Sequence, residues 1–309
     1  NVANTTTDSL ELNTSSSGDG GPIEVDVDPS DLSGDGSEST PYEISNVSEL
    51  QAMEDDLDAN YELVSDIDAS NTAQWNNGSG FDPIGSQASE FSGSVDGNNH
   101  TVAELTIARP NETQVGLFGV SVGTLTEITL TNATVTGNIS VGRVVGTVSG
   151  DSRLQGIIAS GEVSGDKDVG GVAGVTSGSS TLRDVTASGN VNSTQDQNVG
   201  GLVGGTFDNS TIRNATASGN VIGGPFNTGG LIGDNNGNVT SVTATTDVSG
   251  IEDVGGLVGD NNGGTIRDAK ASGSVNGSGS VGGLVGDNDG TIVSGVATGD
   301  ITGAEDVGG

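Results

Sequence analysis

Val254-Gly255-Gly256-Leu257-Val258-Gly259 sets the architecture, because the chain keeps returning to it. The same six residues recur from Val199 and from Val281, and variants begin at Val141, Val169 and Thr228. A shorter form starts at Val115, and Val307-Gly308-Gly309 opens a further copy. Successive starts are 26, 28, 30, 29, 26, 27 and 26 residues apart. A near-constant period of this size marks stacked repeats rather than one conventional core. Within a period lie three short apolar pieces: Gly256-Leu257-Val258, then Thr265-Ile266 running on to Ala269 and Ala271, then Ser274-Val275. Ile212, Ala215, Ala217 and Val221 hold the same columns two copies earlier, and Leu182, Val185, Ala187 and Val191 in the copy before that.

Pieces so short cannot pair with one another as hairpins, but each can pair with its equivalent in the next coil, about 4.8 Å away. The expected fold is therefore all-β: a right-handed parallel β-helix, or solenoid, of 26–30-residue coils. Its hand follows the crossover rule. Seven periods would build roughly 34 Å of rod at that spacing. A propeller needs about 40 residues per blade and helical repeats need a 3.6-residue period, so neither fits. The paired glycines suit a coil corner, where backbones approach closely or take positive φ.

Upstream of the repeats the character changes. Residues 1–41 form an acidic, low-complexity N-terminal arm, although Ile23-Glu24-Val25-Asp26-Val27-Asp28 alternates as a strand would. Residues 42–114 are expected to form an N-terminal cap merging into the first coils, and 115–309 the repeats. Tyr42-Glu43-Ile44 reads as a strand, as do Tyr61-Glu62-Leu63-Val64 and Ile67. Between them Asn46 with Glu49 makes a capping-box-like start, and Val47, Leu50, Met53 and Leu57 follow at helical spacing. Six of the eight aromatic residues fall at 42–118, suiting a closure for the stack's exposed end. At the other end, the copy that begins at Val307 predicts either further chain or a partner over the last coil.

The chain carries 42 acidic and 8 basic residues, a net charge of −34, and its only lysines are Lys167 and Lys270. Such a surface repels nucleic acid and anionic lipid. It also strains the fold by self-repulsion unless salt screens it, and at 1 M the Debye length is about 3 Å. A halophilic source follows; an ordinary acidic secreted protein is the competing reading, and the scarcity of lysine weighs against it. No apolar run reaches the roughly 18 residues of a membrane span. The first residue is Asn1 rather than Met, consistent with a secretory signal removed upstream. Asn-X-Ser/Thr triplets stand at Asn4, Asn13, Asn46, Asn77, Asn99, Asn111, Asn132, Asn138, Asn192, Asn209, Asn214, Asn238 and Asn276, candidate glycosylation sites that favour the outside of a cell.

The repeated phrase, with Thr265-Ile-Arg-Asp-Ala-Lys-Ala-Ser-Gly-Ser-Val275 between copies, resembles the GLUG-motif repeats of microbial surface proteins. Tyr42-Glu-Ile44, Leu63-Val-Ser-Asp-Ile-Asp-Ala-Ser70, Pro83-Ile-Gly85 and Phe91-Ser-Gly-Ser-Val-Asp-Gly-Asn-Asn-His-Thr-Val102 are similar to the front ends of the same proteins, so the resemblance covers 42–309. It implies secreted or wall-attached β-solenoids of adhesins, with no active site inside the repeats.

The composition leaves few chemical options. There is no cysteine and one histidine, His100, in a turn-like Asn98-Asn99-His100-Thr101, which starves thiol, triad and zinc chemistry of parts. Asp66 with Asp68, and Asp166 with Asp168, have the i, i+2 spacing that places two carboxylates on one side of a strand, yet in so acidic a chain such pairs arise freely. No catalytic residue and no cofactor is assigned, and the protein is expected not to be an enzyme. Asp234, Asp260 and Asp287 open equivalent acidic turns on consecutive coils and are the weak cation candidates, for Ca²⁺ or monovalent ions. Arg183, Arg213 and Arg267 share one column, with Thr240 in the coil between, and compensate part of the acid excess.

The function expected from these features is an extracellular structural and adhesive rod on a halophilic microbe's surface. One alternative is a filament subunit whose N-terminal arm donates a strand to its neighbour. A second is a glycan-binding or glycan-cleaving fibre of a cell or virus surface. Partners are other surface proteins, glycans or copies of itself, without nucleic acid and without a membrane span in this segment.

Overall fold

The computed structural model describes residues 27–308 except 194 and 196. Most of the alternating segment at 23–28 lies outside the described residues; Val27 and Asp28 have no regular structure, and Asp28 caps the 3-10 turn Pro29–Asp31. Beyond it the chain winds into parallel coils that form three sheets. On the first face the motif starts stand in register, Val115 beside Val141, Val169, Val199, Thr228, Val254, Val281 and Val307, in an eight-stranded sheet. The second, seven-stranded face stacks the other half of the motif, Phe118 through Val145, Ala173, Val203, Ile232, Val258 and Val285. The broad third face carries the remaining apolar columns. Leu182, Ile212, Val239, Ile266 and Ile292 align there, as do Ala187, Ala217, Ala244, Ala271 and Ala297.

Two details differ from the expectation. The motif is not one strand beside a corner; it straddles the corner, with strands Val254–Gly255 and Val258–Asn261 on either side of Gly256-Leu257. The last two apolar pieces of a coil also join into single 12-residue strands at Thr181–Asn192, Thr211–Ile222 and Asn238–Ser249. Left-handed residues at Asp184 (φ 54°), Asn214 (φ 53°) and Ser241 (φ 57°) bend these strands. Asp and Asn tolerate that conformation because their short side chains bond locally, so the strand turns as at a bulge without ending.

Glycine serves the motif by close approach. None of Gly255, Gly256 and Gly259 takes a left-handed φ. A Cβ on Gly255 would lie 1.8 Å from the Val258 carbonyl oxygen, and one on Gly256 would lie 2.2 Å from the Gly283 carbonyl oxygen of the next coil. The interior is then filled by the branched residues that follow: Val144, Val172, Leu202, Leu231 and Leu257 are all fully buried in one column.

At the front end, Asn46 caps helix α1 (Val47–Ala52), its side chain accepting from the amides of Ser48 and Glu49 at 3.1 Å each. Glu49 reaches back to the Ser45 amide at 2.6 Å, one residue earlier than the expected box. The helix is short and passes into a 3-10 turn at Met53–Asp55, yet it buries Val47, Leu50 and Met53 over the first coil. Beneath it Tyr42, Tyr61, Phe91 and Phe118 form a continuous aromatic column, with ring centroids 5.6, 6.4 and 4.9 Å apart. Such contacts add to the area they bury, and they close an end that would otherwise expose coil edges.

Candidate functional site

The most chemically distinct region is a set of polar ladders, one at the ends of the second-face strands and one at the entry to the first-face strands. Asp234, Asp260 and Asp287 do stack in register, but within strands rather than in turns. Of their neighbours, Asn235 and Asn261 are fully buried, while Asn288, on the last such strand, is exposed. The Nδ2 of Asn235 donates to Oδ1 of Asn261 at 2.7 Å, and that of Asn261 to Oδ1 of Asn288 at 2.6 Å. Thr206 Oγ1 donates to Asn235 Oδ1 at 2.8 Å and extends the ladder by one coil. A second ladder lies just before each motif: Asn198 Nδ2 donates to Asp168 Oδ1 at 2.7 Å, and Asn227 Nδ2 to Asn198 Oδ1 at 3.0 Å. Asp168, Asn198, Asn227 and Asp253 all have left-handed φ, which explains why Asn, Asp or another polar residue keeps preceding the motif valine.

The aspartate ladder is electrostatically strained. Burial pushes the Asp234 carboxyl up to about 6, and the Asp260 and Asp168 charges add to the shift. Asp260 is likewise pushed up to about 6, first by burial and then by Asp287, Asp253 and Asp289. Ordinary Asp titrates near 3.9, so the folded state binds these protons more tightly than the unfolded state. Their contribution to stability is therefore greatest below about pH 4 and is lost as pH rises through about 6. Asp234→Asn keeps the acceptor used by Asn236 and removes the charge. At pH 7 it should raise unfolding free energy by about 1–2 kcal/mol after allowance for solvent screening. Denaturation at a series of pH values should show the gain vanishing below pH 4. Among the described residues no three His, Cys, Asp or Glu side chains are placed to hold a metal ion.

The other candidate residues are placed as follows. His100 Nδ1 lies 3.3 Å from Asp66 Oδ1, which also accepts from the Thr101 amide at 2.9 Å. Those two hydrogen bonds, the amide's first, hold the Asp66 carboxyl below the usual range. Asp68 accepts from the Ser70 amide at 2.9 Å, so both carboxylates of this pair bind backbone amides, Asp68 locally and Asp66 across to Thr101. Asp166 and Asp168 are not on one side: Asp166 is exposed and Asp168 buried, because the left-handed φ of 53° at Asp168 breaks the strand alternation. Of the described sequon asparagines, Asn46, Asn77, Asn99, Asn111, Asn132, Asn192, Asn209, Asn214, Asn238 and Asn276 are exposed and Asn138 is half-buried. Asn4 and Asn13 lie outside the described residues. The arginine column stands as expected, with Arg183 beside Arg213, then Thr240, then Arg267, and Gln155 precedes it.

Arg143 had no place among the expected site residues. It replaces the motif's second glycine and is fully buried. Nη1 donates to the Gly171 carbonyl at 2.8 Å, and Nη2 to the carbonyls of Gly161 and Asn190 at 2.7 and 2.9 Å. Burial lowers its pKa to about 10, opposed by Glu162, so it is a cation held by carbonyl dipoles at neutral pH. The visible signal was the arginine in a glycine column.

Register, interior ladders and an acidic exterior define a capped parallel β-solenoid of the repeat class. Within that class, the chain carries the GLUG motif, matched at 196–222, which is one full passage from the copy at Val199 through the long strand Thr211–Ile222. It is 44% identical over 130 residues to Halomucin of Haloquadratum walsbyi, a match to 39% of this chain and 1% of that protein. That similarity supports a haloarchaeal source. It is 36% identical over 90 residues to a protein of Evansella cellulosilytica named "Putative Gly-rich membrane protein", covering 28% of this chain and 10% of the relative. The chain thus matches only a small share of the length of either relative. A Bacteroides ovatus crystal structure, described as a "putative immunoglobulin A1 protease", superposes with a TM-score of 0.59 over 89% of this chain and 86% of that one. At 19% identity this likeness shows the shared fold alone. No helix among the described residues is long and apolar enough to cross a membrane.

Proposed function

We propose that the chain is a non-catalytic, extracellular rod of a halophilic microbe's surface, which spaces or displays what is attached to it and adheres through its faces. The observation that carries this reading is the single unbroken register of motif starts from Val115 to Val307. A stack in which each coil contacts only its neighbours extends reach by repetition, which suits a spacer better than an enclosed site. The acid excess and the similarity to Halomucin of a haloarchaeon add support. Exposed sequons such as Asn77, Asn99 and Asn238 are the proposed positions for glycans.

Intact cells of the source, treated with protease in their growth brine, should lose the protein while cytoplasmic markers survive; full protection until lysis would reject the extracellular assignment. Salt provides a separate check. The unfolding midpoint of the isolated chain should rise steeply with KCl up to about 1 M, where the Debye length is about 3 Å, and flatten beyond. A midpoint independent of salt would contradict the halophilic reading.

A further inference from the structure

The broad third face holds a groove of about 380 Å³ whose lining includes Arg153, Arg183 and Arg213. These are three of only eight basic residues in a chain with 42 acidic ones. Of the other five, Arg143 is buried on carbonyls and Arg109 is paired with Asp82 and Glu112. The groove therefore gathers three arginines against one lining acid on an otherwise acidic chain. Asp151 is the one acid in its lining, and Asp184 takes the Nε of Arg183 at 3.2 Å. Arg153 is hydrogen-bonded to Gln155, while Arg213 makes no ion pair among the described residues. Arg183 and Arg213 are partners in register, which sets two like-charged residues on neighbouring strands with backbones about 4.8 Å apart along the stack. Compensation of the acid excess would be served better by dispersing these arginines among the carboxylates than by stacking them.

Three further features narrow the chemistry. Thr181 and Thr211, also in register, place a row of hydroxyls beside the guanidinium groups. Among the described residues no aromatic lines the groove, so it offers no platform on which nucleobases could stack. The groove crosses three consecutive coils, at 151–153, 181–183 and 211–213, with Arg183 and Arg213 in one column and Arg153 beside it in the column of Thr181 and Thr211. Planar guanidinium forks match carboxylate and sulfate oxygens in a bidentate way, and the threonines can bond sugar hydroxyls.

We propose that this groove binds an acidic polysaccharide, seating successive carboxylate or sulfate groups on Arg153, Arg183 and Arg213 with the sugar hydroxyls on Thr181 and Thr211. The inference rests on the extracellular reading only for the source of the ligand; the binding itself is a property of the isolated chain. Its salt dependence is unusual. In dilute buffer the net charge of −34 repels a polyanion, whereas molar salt confines the field to about 3 Å and leaves contact pairs inside the groove. Affinity should therefore be higher at 1 M KCl than at 0.1 M, the reverse of ordinary polyanion binding.

The test is calorimetric titration of the purified chain with oligogalacturonate and, separately, with sulfated dextran oligosaccharide, at both salt concentrations. Neutral dextran and oligo(dT) are the controls. Binding of either acidic glycan, stronger at 1 M and weakened about tenfold by each of Arg183→Gln and Arg213→Gln, with Arg267→Gln unchanged, supports the groove; the two glycan arms distinguish a carboxylate from a sulfate ligand. Circular dichroism at both salt concentrations shows that the unsubstituted chain and the variants are folded where binding is compared. Absence of acidic-glycan binding at both salts, binding indifferent to the substitutions, or preference for neutral dextran or oligo(dT) overturns the proposal. Such a result leaves the surface location untouched, since protease treatment of intact cells reads that independently.

Discussion

Gly255→Ala is expected to lower unfolding free energy by about 3 kcal/mol or more, because the added methyl has only backbone to meet. Its Cβ would fall 1.8 Å from the Val258 carbonyl oxygen, 2.7 Å from that carbonyl carbon and 2.8 Å from the Gly286 amide nitrogen. No rotamer change relieves such a clash; the corner itself has to open, and with it the pairing of Val254 to Val281. Gly263→Ala is the matching control. Gly263 has φ +87°, and a methyl added there would meet nothing within 4 Å, so only the conformational cost of about 1–2 kcal/mol applies. Urea denaturation of the two variants should separate them clearly. Equal costs would mean that the corner opens readily enough to take a methyl, and that close approach is not what requires glycine at Gly255.

The second large effect is at Arg143. Arg143→Ala removes three charge-assisted hydrogen bonds, strands the carbonyls of Gly161, Gly171 and Asn190, and opens a void inside the stack. Each buried carbonyl left without a donor costs about 1–3 kcal/mol and the void adds to that, so a loss of about 3–5 kcal/mol is expected. Arg143→Lys keeps the charge but cannot span three acceptors with one ammonium group, and should fall between wild type and alanine. Hydrogen exchange should show the loss concentrated in the coils around residues 141–192, because each coil leans only on its neighbours. A variant as stable as wild type would show that the coils can close over the site without the cation.

The repeat made most of the architecture legible. In a stack of parallel coils, residues one period apart become neighbours, so spacing in sequence is register in space; this is why columns such as Ile212, Ala217 and Val221 could be read directly. The cap was legible from ordinary helix chemistry at Asn46 and from its aromatics. What alternation could not show was where the backbone turns left-handed. Asp168 and Asp184 look like ordinary strand residues, but their positive φ sends one carboxylate inward and bends a strand at the other. The acidic triplets were misplaced for a related reason. Asp-Asn-Asn and Asp-Asn-Asp suggest turns, yet stacking lets asparagine amides bond from coil to coil, and that gain keeps the first two residues of each in a strand, which ends before the third. Arg143 and the groove were hidden for a third reason: both depend on what faces a side chain across coils. The arginine column was readable, but Arg153, two positions out of that column, joins it only through the shape of the face.

A stack of coils standing outside a cell in brine should be visible as such by electron cryo-tomography of intact source cells. The label would be an antibody against the repeat segment, applied without lysis at native salt. Label on thin straight projections beyond the cell envelope is the expected outcome. Label confined to the cell interior, or on compact particles with no extended body, would refute the surface rod.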